Sequence, residues 1–151
     1  MRRRWVTIVI AGAAAAWCGL VAAAGAADAA VAGAAGPVNA AGSWRHAIEV
    51  PGLGTLNAGG EAGVRSVSCG SAGNCAAGGF YTGPVRVQAF VVSERNGRWG
   101  KAIAVPGLGA LNVGGNAQVN SVSCGSAGNC AAGGSYRDGS GNPQAFVVSQ
   151  T

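Results

Sequence analysis

The stretch SVSCGSAGNCAAGG stands twice in this chain, at 66–79 and again at 121–134, and no other feature constrains the fold as much. Trp44 recurs as Trp99, Cys69 as Cys124 and Cys75 as Cys130, each 55 residues on, while QAFVVS recurs after 56, at Gln88 and Gln144. The one extra residue falls after Tyr136 and marks a surface loop, where insertions are tolerated. A unit this short builds a small substructure that buries its apolar face only against a neighbouring copy. The two units run from 44 to 98 and from 99 to 151.

Each unit divides into four short β-prone runs separated by turn chemistry. In the first they are Trp44 to Val50, Val64 to Cys69, Cys75 to Tyr81 and Val87 to Ser93. Pro51-Gly52, the Gly70 to Asn74 stretch, Thr82-Gly83-Pro84 and Asn96-Gly97 supply the breaks. No window carries helical apolar spacing, so an all-β protein is expected. Two tandem four-stranded antiparallel sheets of this length read as β-propeller-like blades, stacked face to face. Ala76, Ala77, Gly78 and Gly79 suit a strand crowded near a propeller axis, and Phe90, Val92, Phe146 and Val148 suit the gaps between sheets.

The N-terminus explains much of the composition. Arg2, Arg3 and Arg4 precede an uncharged run from Trp5 to Ala27, the pattern of a signal peptide. Small residues place cleavage after Ala26 or Ala29, the second preferred, which leaves 1–29 as leader and 30–43 as an Ala/Gly-rich linker. The competing reading is an uncleaved membrane anchor, since the run is long enough to span a bilayer. Trp17 before Cys18 argues against lipidation. The paired arginines faintly resemble twin-arginine export, but disulfide-bearing proteins suit the unfolded route. A secreted, extracellular location is therefore expected, without membrane contact after cleavage.

Cysteine usage agrees. The chain has five cysteines, and Cys18 leaves with the leader. Cys69, Cys75, Cys124 and Cys130 permit three pairings, of which the duplication favours one short bridge inside each repeat. The intervening GSAGN reads as a hairpin turn whose ends are tied. Closing so small a loop is worth about 2 kcal/mol per bridge. Zinc is the alternative use, but zinc ligand pairs usually lie closer together and export favours oxidation.

The net charge of +5 falls when Arg2, Arg3, Arg4 and Asp28 are removed, and no basic cluster remains to suggest nucleic acid. Low charge with high apolar content also argues against intrinsic disorder.

At this level the residues resemble a family. The pattern W..AI.VPG....N.GG, followed by SVSC.SAGNCAAGG.Y and QAFVVS..NG.W, resembles secreted actinobacterial proteins built of many such repeats and propeller-like in form. The resemblance covers essentially 44–151; it implies export and blade architecture, and implies no activity. Ser93, Asn96, Gly97 and Trp99 are also weakly similar to the Asp-box hairpin of sialidase-type propellers, one residue shorter and without the Asp. That departure leaves a tight turn and no reason to infer sialidase chemistry.

Catalytic constellations do not stand out. His46 aligns with Lys101, and a general base needs a partner within hydrogen-bond reach. Glu49, Glu61, Glu94 and Asp138 do not repeat as a carboxylate pair. The Gly52 to Asn57 stretch superficially echoes a nucleotide-binding loop, but no helix is expected after it. No cofactor and no metal are expected. Trp44, Trp99, Tyr81, Tyr136, Asn57 and Asn112 are the aromatic and amide groups of the kind that contact sugars. The same groups also suit packing between sheets and capping of turns. The leading expectation is a secreted, non-enzymatic recognition module for a glycan or other cell-surface ligand. The alternatives are a structural cell-envelope protein and a hydrolase whose site is built at a subunit interface.

Closed propellers need about four blades or more, and two are encoded. The first run, Trp44 to Val50, should edge a preceding blade, and the last blade lacks its outer strand. Head-to-tail homo-oligomerisation into a ring solves both problems; the alternative is a shortened array or a fragment.

Overall fold

The structure, a computed structural model, describes residues 43–150. The leader, the linker up to residue 42, the cleavage sites and Cys18 lie outside the described residues.

Alternating β-branched residues and short glycine turns produce an antiparallel meander. Strand β1 (Ala62–Ser71) turns through Ala72 and Gly73 into β2 (Asn74–Thr82), with Cys69 opposite Cys75. Strand β3 (Val87–Arg95) returns along β2, setting Ala77 opposite Val92 and Tyr81 opposite Gln88. Asn96 and Gly97 then form a two-residue hairpin loop, both at positive φ, as a right-handed β-twist requires. Two short pieces follow on the outer edge of β3: β4 (Arg98–Trp99) and β5 (Ile103–Ala104). Trp99 lies opposite Glu94, and Ile103 opposite Val91. The second sheet is β6 (Ala117–Ser126), β7 (Asn129–Arg137) and β8 (Pro143–Ser149), in that order. Its register repeats the first: Cys124 faces Cys130, Ala132 faces Val148 and Tyr136 faces Gln144.

The fold is thus all-β with two antiparallel sheets, of five and three strands rather than four each. The difference comes from the first run of each repeat. In the second repeat that run supplies β4 and β5 to the first sheet, so the sheets are offset from the sequence units. In the first repeat, Trp44 to Val50 forms no strand, contrary to expectation. A strand is a pairing rather than a local preference, and this run has no edge beside it among the described residues. One-turn helices are the second departure. α1 (Leu53–Leu56) and α2 (Leu108–Leu111) follow the two Pro-Gly turns, each placing its first leucine in a core. Four residues are too few to carry the helical periodicity that a sequence reading detects.

Both expected bridges are present, Cys69–Cys75 and Cys124–Cys130, each spanning directly opposed residues at the hairpin end.

The core is divided by the first sheet. One cluster, with Leu53, Ala77, Tyr81, Phe90 and Val92, lies under α1. The larger one fills the seam, where Ala76 and Ala89 of the first sheet meet Val119, Val122 and Ala132 of the second. β6 packs across β1, β2 and β3. Two serines on β1 finish the contact: Val122 N donates to Ser66 Oγ at 3.0 Å and Cys124 N to Ser68 Oγ at 3.1 Å. These bonds satisfy strand-edge donors that would otherwise be left without partners.

Identical residues therefore have different surroundings in the two copies. Val119 and Val122 are 0% and 8% exposed, whereas their counterparts Val64 and Val67 are 45% and 56% exposed. The chemistry is the same and only the neighbouring sheet differs.

Candidate functional site

Toward the outer strands, the side chains that face each other across the seam leave space between the sheets unfilled. The result is a cleft of about 150 Å³. Its walls are Ala76, Val91 and Ile103 from the first sheet and Val122, Ala132 and Val148 from the second. Ser93, Ser149 and Gln150 supply polar groups at one end, and Gln150 Nε2 donates to Ser93 Oγ at 2.9 Å across the seam. Period-two alternation along β3 puts Val91 and Ser93 on one face, which is why an apolar wall ends in a hydroxyl.

A second depression of about 210 Å³ shares Val91, Val92, Ser93 and Ile103 with the cleft. Arg95, Arg98 and Lys101 border it, all exposed. The tight Asn96-Gly97 turn brings Arg95 and Arg98 into opposed register, so two guanidinium groups leave one hairpin. A shallow apolar floor with a cationic border favours a ligand that is partly apolar and carries negative charge.

None of the six aromatic and amide residues singled out from the sequence lines either depression. Trp44 is 100% exposed, while Trp99 is half-buried against the first core. Tyr81 is buried, and removal of its phenol from water raises the pKa above the ordinary tyrosine value. Tyr136 packs half-buried at the seam. The asparagines hold backbone. Thr82 N donates to Asn57 Oδ1 at 3.2 Å, whereas Asn112 Nδ2 donates to Val87 O at 2.9 Å and Gln88 Oε1 at 3.3 Å. Asn112 has a preceding sheet to bind, and Asn57 does not.

The titratable groups are dispersed. His46 and Glu49 stand exposed on the unpaired run 44–50. Asp138 organises the loop before β8: Ser140 N and Asn142 N donate to its Oδ1 at 2.9 Å, and Gln144 Nε2 to its Oδ2 at 2.9 Å. These bonds to the charged form hold its pKa below the usual carboxylate value. Among the described residues no group of three or more metal-capable side chains gathers.

Sequence reading missed the residues that matter at the seam. Ser66 and Ser68, on a strand read only as part of the duplicated stretch, bond the next sheet. Ser93 carries only a weak signal, the recurrence of QAFVVS with its terminal serine, and Gln150, which stands where the first repeat has Glu94, carries none. No family model matches this chain, and neither a curated protein nor a solved structure matches it.

Proposed function

We propose that this chain is an exported, non-enzymatic recognition module made of propeller-like blades, and that its ligand site is the seam cleft with its cationic border. The observation that carries the reading is the cleft itself: an apolar floor with a few hydroxyl and amide groups at one end is the usual make-up of a small-ligand site. Arg95, Arg98 and Lys101 beside it favour an acidic ligand, and among carbohydrates an acidic sugar. The blade reading is supported by the meander order β1-β2-β3-β4 and by the passage from an outer strand through α2 to the next inner strand.

Export is supported by the leader pattern and by two intrachain disulfides, which are compatible with an oxidising compartment. No helix among the described residues is long and apolar enough to cross a membrane.

The test is binding of the oxidised, secreted protein to an array of neutral and acidic glycans. Retention of acidic glycans, lost in an Ile103→Trp variant whose far-UV spectrum is unchanged, supports the site, because Ile103 is half-exposed and lines both depressions, so the indole covers them. Uniformly negative arrays remove the carbohydrate version, and binding that survives the indole removes the cleft.

A further inference from the structure

We propose that a second copy of this chain docks head to tail, its residues 43–67 taking on the second sheet the place that residues 98–122 occupy on the first. This docking does not depend on the ligand site and follows from the seam inside the chain. That seam is made by two surfaces, and among the described residues each copy of the chain also carries both of them uncovered.

The receiving surface is the outer side of the second sheet. Inside the chain, Val119 sits on Gly78 so closely that a Cβ there would lie 2.7 Å from its Cγ1. Gly133 is the repeat equivalent of Gly78, and a Cβ there would meet only atoms of its own strand neighbour β8, at 3.6 Å or more. Gly125 likewise stands open, whereas a Cβ on its equivalent Gly70 would strike the backbone of Ser126. Val147 at the outer edge is 89% exposed.

The inserting surface is the start of the first repeat. Val64 and Val67 are the exposed equivalents of Val119 and Val122. In a docked pair Val64 would enter the space above Gly133. Ser121 and Ser123 would accept from the N–H groups of Val67 and Cys69, as Ser66 and Ser68 accept from Val122 and Cys124. Asn57 would repeat the bond of Asn112 by donating to Pro143 O.

The unpaired run 44–50 then finds its edge. Within the chain Ile103 pairs with Val91, Ala104 with Phe90 and Trp99 with Glu94. The equivalent intermolecular register sets Ile48 opposite Val147, Glu49 opposite Phe146 and Trp44 opposite Gln150. Added strands of this kind bind through main-chain hydrogen bonds and place alternate side chains in register. Trp44 and Ile48, otherwise free apolar groups in water, gain a face to lie on. Two contacts are not reproduced: Arg86 Nη1 donates to Asn112 O at 2.9 Å inside the chain, but its equivalent is Asn142, and Gln150 Nε2 donates to Ser93 Oγ at 2.9 Å, but the equivalent of Gln150 is Glu94, whose carboxylate cannot donate. The intermolecular seam is weaker than the internal one by those bonds.

A heterotypic cross-link tests the register. Ile48→Cys and Val147→Cys proteins, each leader-free and with both native disulfides formed, are mixed under mild oxidant and resolved without reductant. A dimer that forms in the mixture and in neither protein alone is the expected result. No cross-link in the mixture, or a Val147→Cys homodimer as the dominant species, overturns the proposal. A Val147→Arg protein is the second check, because the substitution is at an exposed position of the single chain. It should retain the fold and lower the association constant by more than about ten-fold, and unchanged association overturns the docked register.

Discussion

Val119 lies directly above Gly78, on the far side of a seam where no side chain larger than hydrogen fits beneath it. Val119 is wholly buried and its branched side chain has little rotamer freedom. Gly78→Ala should therefore cost about 2 kcal/mol through overpacking, read as a lower midpoint in urea at unchanged slope. Gly133→Ala, the same change in the same local sequence, should leave the midpoint of the isolated protomer within about 0.5 kcal/mol. Equal losses at both sites would mean that the seam is not what distinguishes them.

The two asparagines give a second matched pair. Asn112 is 0% exposed and binds the backbone of the preceding strand, so Asn112→Ala strands Val87 O. A loss of about 2 kcal/mol follows from the unsatisfied carbonyl. Asn57 is half-exposed and accepts one backbone bond, so its removal should cost about 1 kcal/mol. Denaturation of the two variants side by side checks the order.

Each disulfide closes a hairpin of seven residues counted from cysteine to cysteine, with six steps of sequence separation. Reduction should lower stability by about 2 kcal/mol for each bridge. Cys124→Ser with Cys130→Ser should loosen the second sheet more than the equivalent pair loosens the first. Cys130 is buried in the seam cluster, and its sheet has only three strands. Amide exchange in β7 against β2 reports the difference, and faster exchange in β2 would count against it.

Acid should act first on one loop. Hydrogen bonds from Gln144 and from the Asn142 backbone lower the Asp138 pKa in the folded state. A lowered folded pKa means that the contribution is present above the unfolded carboxylate value and is lost as pH falls through the folded one. Amides of Ser140 and Asn142 should stay protected through the ordinary carboxylate range and lose protection only below it. Asp138→Asn should make them pH-independent.

The duplication made much of this architecture legible in the sequence. Turn residues at Ala72-Gly73 and Asn96-Gly97 fix hairpins locally, and the Cys-x5-Cys spacing ties the first of them, so those elements follow from nearby residues alone. The run 44–50 could not be read the same way. It shares Trp, Ala, Ile and Val with 99–105, yet among the described residues only the later copy lies beside a free edge, and pairing is a tertiary event. The helical turns at Leu53 and Leu108 are set by a Pro-Gly turn and one buried leucine, a signal shorter than any amphipathic pattern. The seam serines and the cleft depend on how two sheets meet, which no single strand encodes.

Recognition of a ligand and assembly of copies stand on separate observations, the cleft for one and the repeated seam for the other. Assembly rests on the claim that each repeat presents two complementary faces, joined once within the chain and open once at each end of the described fold. Light scattering of the oxidised, leader-free protein across a concentration series tests that claim most directly. The account predicts a mass of two or more chains that reverts to a single chain in Gly133→Ala. A well-folded single chain at every concentration would contradict it.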